Sequence, residues 1–269
     1  MEEKSLSTLE YTKILKSLSE CAKNDDAKTM AEELKPSSDF REVERALAET
    51  DAAVTMSLKF GSPEILRVEP VDGAIKRLDV GGALSAAELL NVARLLKCIR
   101  NLKRYTKEQT GVLEEYFSEL VSAKPIEDEI NRAIVSEDEI ADAASPALAN
   151  VRRKMKNAGA KIKDSLDSMV RSGHYQKFLM DNIVTMRNNR YVVPVKAEHR
   201  SEVPGIVHDM SASGSTVFIE PSSVVNANNE LHELEIKEKA EIEKVLYELS
   251  NKVAEISEQV KYNYETLIL

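Results

Sequence analysis

The feature of this sequence that most constrains its fold is a change in the spacing of apolar residues near residue 183. Before that point, and again after residue 221, apolar residues recur every three or four positions, which is typical of amphipathic helices. Between them, short β-branched and aromatic runs alternate with turn residues and indicate strands. The four runs are residues 183–186, 191–195, 205–210 and 215–219. They predict a small antiparallel sheet inserted into a helical chain, with Pro194 at an edge or a bulge.

Two long helices are predicted on either side of this sheet. Ser145 at a cap position and Pro146 in the first turn favour a helix start, and only Gly159 weakens the helix before about residue 171. A helix of about 25 residues is about 40 Å long. The second helix carries a heptad seam that would let it pack along the first. The seam residues are Ile242, Leu246, Leu249, Val253, Ile256 and Val260.

The residues before 145 predict a domain of short helices. Breaks at residues 36–38, 61–63 and 81–82 separate them, and Ser85 with Glu88 has the spacing of a capping box. Three apolar stripes at helical spacing are expected to form the core. They are Leu6, Leu9, Leu15, Leu18 and Ala22; Val43, Leu47, Val54 and Leu58; and Leu89, Val92, Leu96, Ile99 and Leu102.

The predicted fold class is therefore mostly α with a small antiparallel β insert. We expect a helical core domain at residues 1–144, an outgoing helix at 145–175, a β-rich basic domain at 176–225 and a returning helix at 226–269. The β-rich domain would form a tip about 40 Å from the body, which suits a reaching device. No helix stop precedes residue 269, so we expect the chain to be a piece of something longer.

Charge is strongly segregated along the chain. The net charge is -9, yet residues 150–200 hold twelve Lys and Arg against four Asp and Glu, a net charge of +8. The remaining residues therefore carry -17, and this asymmetry is expected where one part of a protein meets a polyanion. A solvated, lysine-rich helix face is the alternative explanation. The residues that we expect to bind nucleic acid are Lys177, Arg187, Arg190, Lys196 and Arg200, with Tyr175 as a stacking or packing aromatic.

The stretch GIVHDMSASGSTVFIEP, beginning at residue 205, resembles a hydrolase site in composition. However, His208 and Asp209 are neighbours on a predicted strand and would point to opposite faces, and no GxSxG motif is present. A metal site from His199, His208 and Asp209 lacks an HxxxH pattern or a third clear ligand. We therefore expect neither catalytic nor metal-binding residues in this chain.

The remaining composition points to an intracellular protein. Cys21 and Cys98 are far apart without a CxxC motif, which predicts buried thiols rather than a disulfide or a zinc site. No apolar run approaches the roughly 18 residues of a membrane span, and the opening MEEKSLSTLE lacks a signal region. A cytoplasmic location without membrane contact is the expectation.

Three stretches of the sequence resemble the MutS family, in particular its second bacterial branch, whose members also carry a C-terminal Smr nuclease domain. The long central stretch is highly specific, and weaker helical similarity runs over the rest of the chain. The stretches are TLEY (8–11), ASPALANVRRKM (144–155) and TMRNNRYVVPVKAEHRSEVPGIVHDMSASGSTVFIEPSSVVNANNELHEL (185–234).

The resemblance implies a specific architecture and function. A helical core would lead into two lever helices, near residues 145–175 and 226–269, with a clamp domain at 176–225. In the family the levers return to an ATPase domain through which two subunits dimerise. Members of this branch are described as binding branched DNA and suppressing recombination, and as sensing collided ribosomes. DNA, ribosomes and rRNA are thus the expected partners.

The chain departs from the full family pattern because it contains no GxxxxGK[ST] phosphate loop and ends before any Smr segment. We therefore expect no enzyme activity and no cofactor in these 269 residues. ATP, Mg²⁺, hydrolase activity and the homodimer interface would belong to the longer parent.

Five further residues are expected to have structural roles. Asn226, Asn228 and Asn229 lie where strand gives way to helix and would form a hinge, because Asn caps helices and tolerates left-handed turns. Gly214 would form the turn between the last two strands, and Pro221 would end the sheet.

Two other functions stay open from the residues alone. One is a coiled-coil module whose second arm pairs with a partner protein while its basic patch is incidental. The other is a stand-alone hydrolase, whose activity would vanish on His208→Ala.

Overall fold

The computed structural model describes residues 3–106 and 111–269, which form two compact units. The first, here called the helical unit, contains the chain up to residue 141 together with residues 245–269. The second, the sheet unit, is residues 142–244. The helices in chain order are α1 (Glu3–Thr8), α2 (Tyr11–Ser19), α3 (Asp25–Glu33), α4 (Phe40–Phe60), α5 (Asp72–Asp79), α6 (Ala86–Tyr105), α7 (Glu114–Ser118), α8 (Lys124–Ala133), α9 (Pro146–Arg171), α10 (Gly173–Gln176), α11 (Val225–Ala254) and α12 (Ser257–Ile268).

Helix α6 forms the centre of the helical unit. Its predicted apolar stripe is buried, and the Ser85–Glu88 capping box is present at its start. The two reciprocal bonds of the box satisfy backbone N–H groups that the first turn leaves without partners. The predicted breaks at residues 36–38, 61–63 and 81–82 all fall outside the helices.

Two of the three predicted stripes of this unit are largely uncovered: in the first, only Leu15 is buried, and the stripe of α4 is exposed throughout. Val43, Leu47, Val54 and Leu58 are exposed, and within α4 only Met56 is buried. The reason is that α4 turns another face toward residues 111–117, where the Tyr116 hydroxyl donates to Glu49 Oε1 at 3.1 Å. Helical periodicity identifies an apolar face, but it cannot say whether the folded chain covers that face.

The end of the helical unit also differs from the prediction. A hairpin of β1 (Ile134–Ser136) and β2 (Glu139–Ile140) interrupts what was expected to be an entirely helical domain.

Cys98 is buried as predicted, whereas Cys21 is exposed. A search of the described residues found no helix long and apolar enough to cross a membrane.

The predicted returning helix is interrupted rather than continuous. Helix α11 ends at Ala254 and α12 begins at Ser257, with Ile256 outside helical geometry between them. Seam residues Leu249, Val253 and Val260 are buried in the helical unit. Polar bonds accompany them: Ser250 Oγ accepts from the Leu84 N–H at 2.8 Å, and Asn263 pairs with both backbone groups of Val121. From Leu249 onward the seam therefore packs within this chain.

The sheet unit contains the four predicted strands: β3 (Thr185–Arg187), β4 (Arg190–Lys196), β5 (Gly205–Met210) and β6 (Thr216–Pro221). They form an antiparallel sheet in the order β3-β4-β6-β5. Between β3 and β4, Asn188 and Asn189 have φ values of 49° and 59°, as a two-residue hairpin turn requires. Gly205 approaches β6 so closely that a Cβ there would overlap the Glu220 carbonyl oxygen.

Pro194 lies in an internal strand instead of at the predicted edge or bulge. Its carbonyl accepts from the Met180 N–H at 2.9 Å, on the side of β4 that extends past the end of β3. Because the N–H and C=O of one residue face the same side of a strand, the missing N–H of Pro194 removes no β4–β6 bond. An internal position is therefore compatible with proline here.

Helix α9 covers the sheet, and its start and length agree with the prediction. The Ser145 hydroxyl caps its first turn by accepting from Ala147 N and Leu148 N. The buried stripe of α9 forms one core cluster with residues of β4, β6 and α11. Its members include Ala158, Ile162, Leu166, Val170, Val193, Val195, Val217, Ile219, Leu231 and Leu234.

Candidate nucleic-acid interface

Phe178 is the centre of a group of rings and cations in the sheet unit. The His174 and His199 rings lie 5.7 and 5.2 Å from the Phe178 ring, and Lys177 Nζ lies over that ring at 4.8 Å. Lys196 Nζ donates to the Lys177 carbonyl at 3.0 Å. We call His174, Tyr175, Lys177, Phe178, Lys196, His199 and Arg200 the aromatic basic patch.

Backbone pairing brings the two halves of this patch together. Leu179 forms an isolated bridge with Val195, and the Lys196 N–H donates to the Phe178 carbonyl at 2.9 Å. These bonds fix residues 177–180 beside the end of β4. A short 3₁₀ helix (Ala197–Glu202) then presents His199 and Arg200. Lys177 and Lys196, predicted separately from the sequence, are thus neighbours on two paired segments, and Arg200 lies in the 3₁₀ helix that follows Lys196.

The cations of the patch are available to an anion. Within the described ranges, neither Lys177 nor Arg200 forms an ion pair, and both are exposed. Glu198 is the carboxylate that contacts the patch, 3.7 Å from His199 Nε2. Exposed, unpaired lysine and arginine side chains near aromatic rings are the groups that neutralise phosphates and stack on bases.

Tyr175 has a packing role in addition to its place in the patch. Its ring is half-buried against the core cluster and meets the His174 ring edge-on at 4.9 Å. Part of its surface is therefore committed to the sheet unit. Stacking of Tyr175 on a base stays a prediction.

Arg187 occupies a different part of the sheet unit from the aromatic basic patch. Its guanidinium lies over the Phe218 ring at 4.1 Å and pairs with Asp209, with Nε to Oδ2 at 3.3 Å. The side chain is 39% exposed. Asp209 would compete with a phosphate for this guanidinium, and the predicted binding role of Arg187 stays a prediction.

Arg190 is bound to the interior of the sheet unit. Its NH1 donates to Glu220 Oε1 at 3.1 Å and to Asn229 Oδ1 at 2.6 Å. The Glu220 side chain is only 1% exposed, and it also contacts His208 Nε2 at 2.5 Å and the Asn228 amide at 2.8 Å. A buried carboxylate requires such partners, because burying it unpaired is costly. This structural role was not visible in the sequence, where Arg190 was predicted to contact phosphate.

The asparagines predicted to form a hinge lie inside the first turn of α11 rather than before it. Asn228 is buried and bonds both backbone groups of Tyr191, at 3.2 Å each, as well as Glu220. Asn229 accepts from Arg190, whereas Asn226 is exposed. These bonds join the start of α11 to β4. Whether the joint bends stays a prediction.

The turn residues occupy the expected places. Gly214 has a φ of 71° in the β5–β6 turn, and Pro221 is the last residue of β6. The serines of the turn bond to one another, with Ser213 Oγ to Ser215 Oγ at 2.8 Å, and Ser211 Oγ accepts from the Thr216 N–H. They stabilise the turn.

His208 lies at a bulge between β5 and β6, and its ring faces Glu220. This contact with the buried Glu220 carboxylate is structural. Asp209 pairs with Arg187 instead of His208. In the part of the chain that the structure describes, no group of three or more His, Cys, Asp or Glu residues could hold a metal ion.

At the start of α9, Arg152 is bound to two acidic residues. It contacts Asp142 at 2.7 Å and Glu238 at 2.6 Å. Hydrogen bonds to Asp142 and then to Glu238 raise the pKa of Arg152, with burial opposing them. Arg153 instead contacts the Asn150 side-chain oxygen. The contacts of Arg152 therefore indicate a structural role in the sheet unit.

Sequence reasoning missed His174, His199, Phe178 and Glu220. The first three gave no signal because their importance comes from pairing between segments about twenty residues apart. Glu220 had a weak signal, a carboxylate directly after the apolar run TVFI. It is a buried member of β6.

Comparison with known proteins extends over the whole chain. Endonuclease MutS2 of Acetivibrio thermocellus is 45% identical over 99% of this chain, and that of Ruminiclostridium cellulolyticum is 43% identical over 98%. Endonuclease MutS2 of Clostridium beijerinckii is 42% identical over 100%. No family model matches the sequence. The chain spans about a third of the length of these relatives, 34% in each case. Over its entire length, this chain belongs to the MutS2 family.

Proposed function

We propose that this chain binds nucleic acid through its sheet unit, as the core, lever and clamp part of a MutS-type protein. The observation that carries the proposal is the contact of Lys177 with Phe178 and with Lys196, followed by Arg200 in the adjoining 3₁₀ helix, in the segment whose net charge is +8. An acidic protein with one strongly basic segment has the charge distribution of a polyanion-binding protein.

In this proposal, α9 and the first part of α11 serve as the levers, and residues 176–225 as the clamp. Contacts between the two helices fit that role: Arg152 of α9 pairs with Glu238 of α11, and both helices contribute to one core cluster. Rigid helices joined to a sheet by buried polar bonds transmit a displacement better than loops would.

Branched DNA and the rRNA of collided ribosomes are the proposed ligands. Phosphate neutralisation by Lys and Arg is common to both, so the patch by itself does not favour one over the other. ATP with Mg²⁺, endonuclease activity, homodimer formation and a cytoplasmic location are proposed for the longer parent, in keeping with the relatives' name, endonuclease MutS2. Coupling to ATP would require two lever arrangements that nucleotide and nucleic acid stabilise differently.

The coiled-coil alternative has less support. Its seam residues Leu249, Val253 and Val260 are buried within the helical unit, so they are not available to a partner helix. A partner would have to use the exposed residues of α11 instead.

A charge-reversal set tests the proposal. The triple variant Lys177→Glu, Lys196→Glu and Arg200→Glu should weaken binding to a fluorescent duplex at least about tenfold. It should also make the negative slope of log affinity against log salt shallower by about 1 to 3. Fluorescence anisotropy at several salt concentrations measures both. Arg190 is omitted because reversing it would place two carboxylates together in the interior.

The matched control changes the same net charge elsewhere. Lys35, Lys59 and Lys76 are exposed residues of the helical unit, and their triple change to Glu should leave the salt slope within error of the parent chain. Equal losses in the two triple variants would mean that net charge, not the aromatic basic patch, governs binding. Parallel titrations with branched DNA and with ribosomes then compare the two proposed ligands.

A further inference from the structure

A groove with a volume of about 540 Å³ opens in the sheet unit between α9 and β3. This volume lies in the range of small-molecule sites. One wall carries Lys163 and Asp167 of α9, and the other is formed by residues 182–186, with Tyr191 of β4 between them. None of these residues belongs to the aromatic basic patch.

The groove exposes apolar surface. Ile183 and Met186 are 54% and 45% exposed. Met186 lies directly opposite Tyr191 in the β3–β4 pairing, so the two side chains share one face of the sheet. Tyr191 is packed against the core cluster, which holds its ring in place. A fixed ring beside a flexible methionine forms an adaptable apolar slot.

The edge of the groove is polar and partly cationic. Lys163 Nζ lies 5.9 Å from the centre of the Tyr191 ring, and Asn182 and Thr185 are among the lining residues. The exposed side of α9 carries additional cations, while Asp164 and Asp167 offset part of the charge. The further cations are Arg153, Lys154, Lys156, Lys161 and Arg171.

Charge complementarity selects the occupant. An extended peptide with an apolar side chain would also fit a slot of this kind, but the net charge of +8 over residues 150–200 favours an anionic ligand. A nucleotide combines the required features, since its base has two apolar faces and polar edges and its phosphate is anionic.

We infer that this groove binds one unpaired nucleobase of a bound nucleic acid. The base lies against Ile183, Met186 and Tyr191, and Lys163 contacts the adjacent phosphate. A base inside a duplex cannot enter, because both of its faces are stacked, and extruding it costs free energy. The groove therefore makes the sheet unit prefer nucleic acid that contains unpaired nucleotides. This inference rests on the proposed function of the same unit.

Comparing the affinities for three nucleic acids distinguishes binding that depends on the bases from binding that depends on flexibility or on charge. They are a fluorescein-labelled duplex, the same duplex with a short bulge of unpaired thymidines, and the same bulge built from nucleotides that lack their bases. The two bulged forms have equal charge and similar flexibility, so a difference between them reports contact with the bases. Anisotropy titrations of the 269-residue chain give the three affinities.

The chain should bind the base-bearing bulge at least about fivefold more tightly than the base-free bulge, the lower end of what one stacked base contributes. The double variant Ile183→Ala and Met186→Ala should reduce this ratio to within about twofold, leaving duplex affinity unchanged. Both residues are about half exposed, so the variant should fold, and thermal melting checks this.

Strand β5 offers a matched control. Ile206 and Met210 are 49% and 54% exposed and lie on the opposite edge strand of the same sheet. Their double change to Ala removes the same atoms outside the groove, and it should keep the full preference for the base-bearing bulge.

Two outcomes overturn the inference while leaving the proposed function intact. In the first, the chain binds duplex but does not distinguish the two bulges. In the second, the groove variant keeps the preference, which would point to an occupant of other chemistry such as an extended peptide. Failure to bind any of the three nucleic acids would instead reject the proposed function.

Discussion

Glu220 shows how one buried residue changes the interpretation of its neighbours. Its carboxylate contacts Arg190, His208 and Asn228. From the sequence, Arg190 was predicted to contact phosphate, Asn228 was predicted to form a hinge, and His208 was considered as a catalytic or metal-binding residue. Burying a carboxylate without partners costs more free energy than taking its polar partners out of water to meet it. These three side chains are therefore held inside the sheet unit.

Removing Arg190 should destabilise the fold. We expect Arg190→Ala to lower the free energy of unfolding by about 2–3 kcal/mol, because the Glu220 carboxylate loses a charged partner and stays buried. Arg200→Ala, an exposed arginine of the same unit, should stay within about 0.5 kcal/mol of the parent chain. Denaturant titration measures both, and equal values for the two variants would contradict the structural role of Arg190.

Tyr264 predicts a loss of stability at alkaline pH. Burial, followed by a hydrogen bond to Asp26 at 2.7 Å, raises the pKa of its hydroxyl above the usual range. The unfolded chain releases the proton near pH 10, whereas the folded chain still holds it, so stability is complete below about pH 10 and falls as pH rises further.

The variant Tyr264→Phe tests this dependence. It should unfold with a smaller decrease in free energy between about pH 8 and about pH 11 than the parent chain does. Tyr247→Phe changes an exposed tyrosine of the helical unit and should keep the parent's decrease. Identical pH dependence in the parent chain and Tyr264→Phe would exclude Tyr264 as the source.

At the scale of elements, α4 and α6 have apolar stripes of similar quality in the sequence but opposite fates in the fold. The α6 stripe is buried, whereas the α4 stripe is exposed. The number and spacing of apolar residues do not differ enough to distinguish them. What differs is whether another element of the folded chain lies against the stripe.

Leucine truncations should reveal this difference. Leu96→Ala in α6 should cost about 2–5 kcal/mol, because it leaves a cavity in a closely packed core. Leu47→Ala and Leu58→Ala in α4, at 65% and 83% exposure, should each cost less than about 0.5 kcal/mol. Calorimetric or denaturant unfolding provides the comparison, and a large cost at Leu47 or Leu58 would mean that something covers the α4 stripe in solution.

At the scale of the whole molecule, charge segregation is the dominant feature. Residues 150–200 carry +8 while the remainder carries -17. Electrostatic attraction should therefore direct a polyanion to residues 150–200 of the sheet unit rather than to the helical unit. This expectation concerns every lysine of the chain and does not depend on a single contact.

Lysine footprinting measures which lysines a bound polyanion covers. With bound duplex, acetylation should be suppressed at Lys177 and Lys196, and it should stay unchanged at Lys35, Lys59 and Lys76. Mass spectrometry quantifies each site, and raising the salt concentration should restore acetylation as the complex dissociates. Protection spread evenly over both units would contradict binding by the sheet unit.

The sequence alone determined the elements whose formation depends on neighbours along the chain. Helix α9 with its Ser145 cap, the capping box of α6 and the four strands with their Asn188–Asn189 turn are set by apolar period, capping and turn residues. Local geometry decides such features, and a sequence contains that information explicitly. Family membership was likewise readable from the long stretch at 185–234.

Only the tertiary structure decided which side chains meet. The exposure of the α4 stripe, the break at Ile256, the buried Glu220 and the grouping of His174 and His199 around Phe178 all depend on contacts between distant segments. The folded backbone decides which distant residues are buried and which of them pair. A polar residue is stable either in water or in the interior with its hydrogen bonds made, so its type alone does not show which of the two applies. For that reason, the positive charge of the segment was predictable, whereas the division between cations left free for phosphate and cations bound to the interior was not.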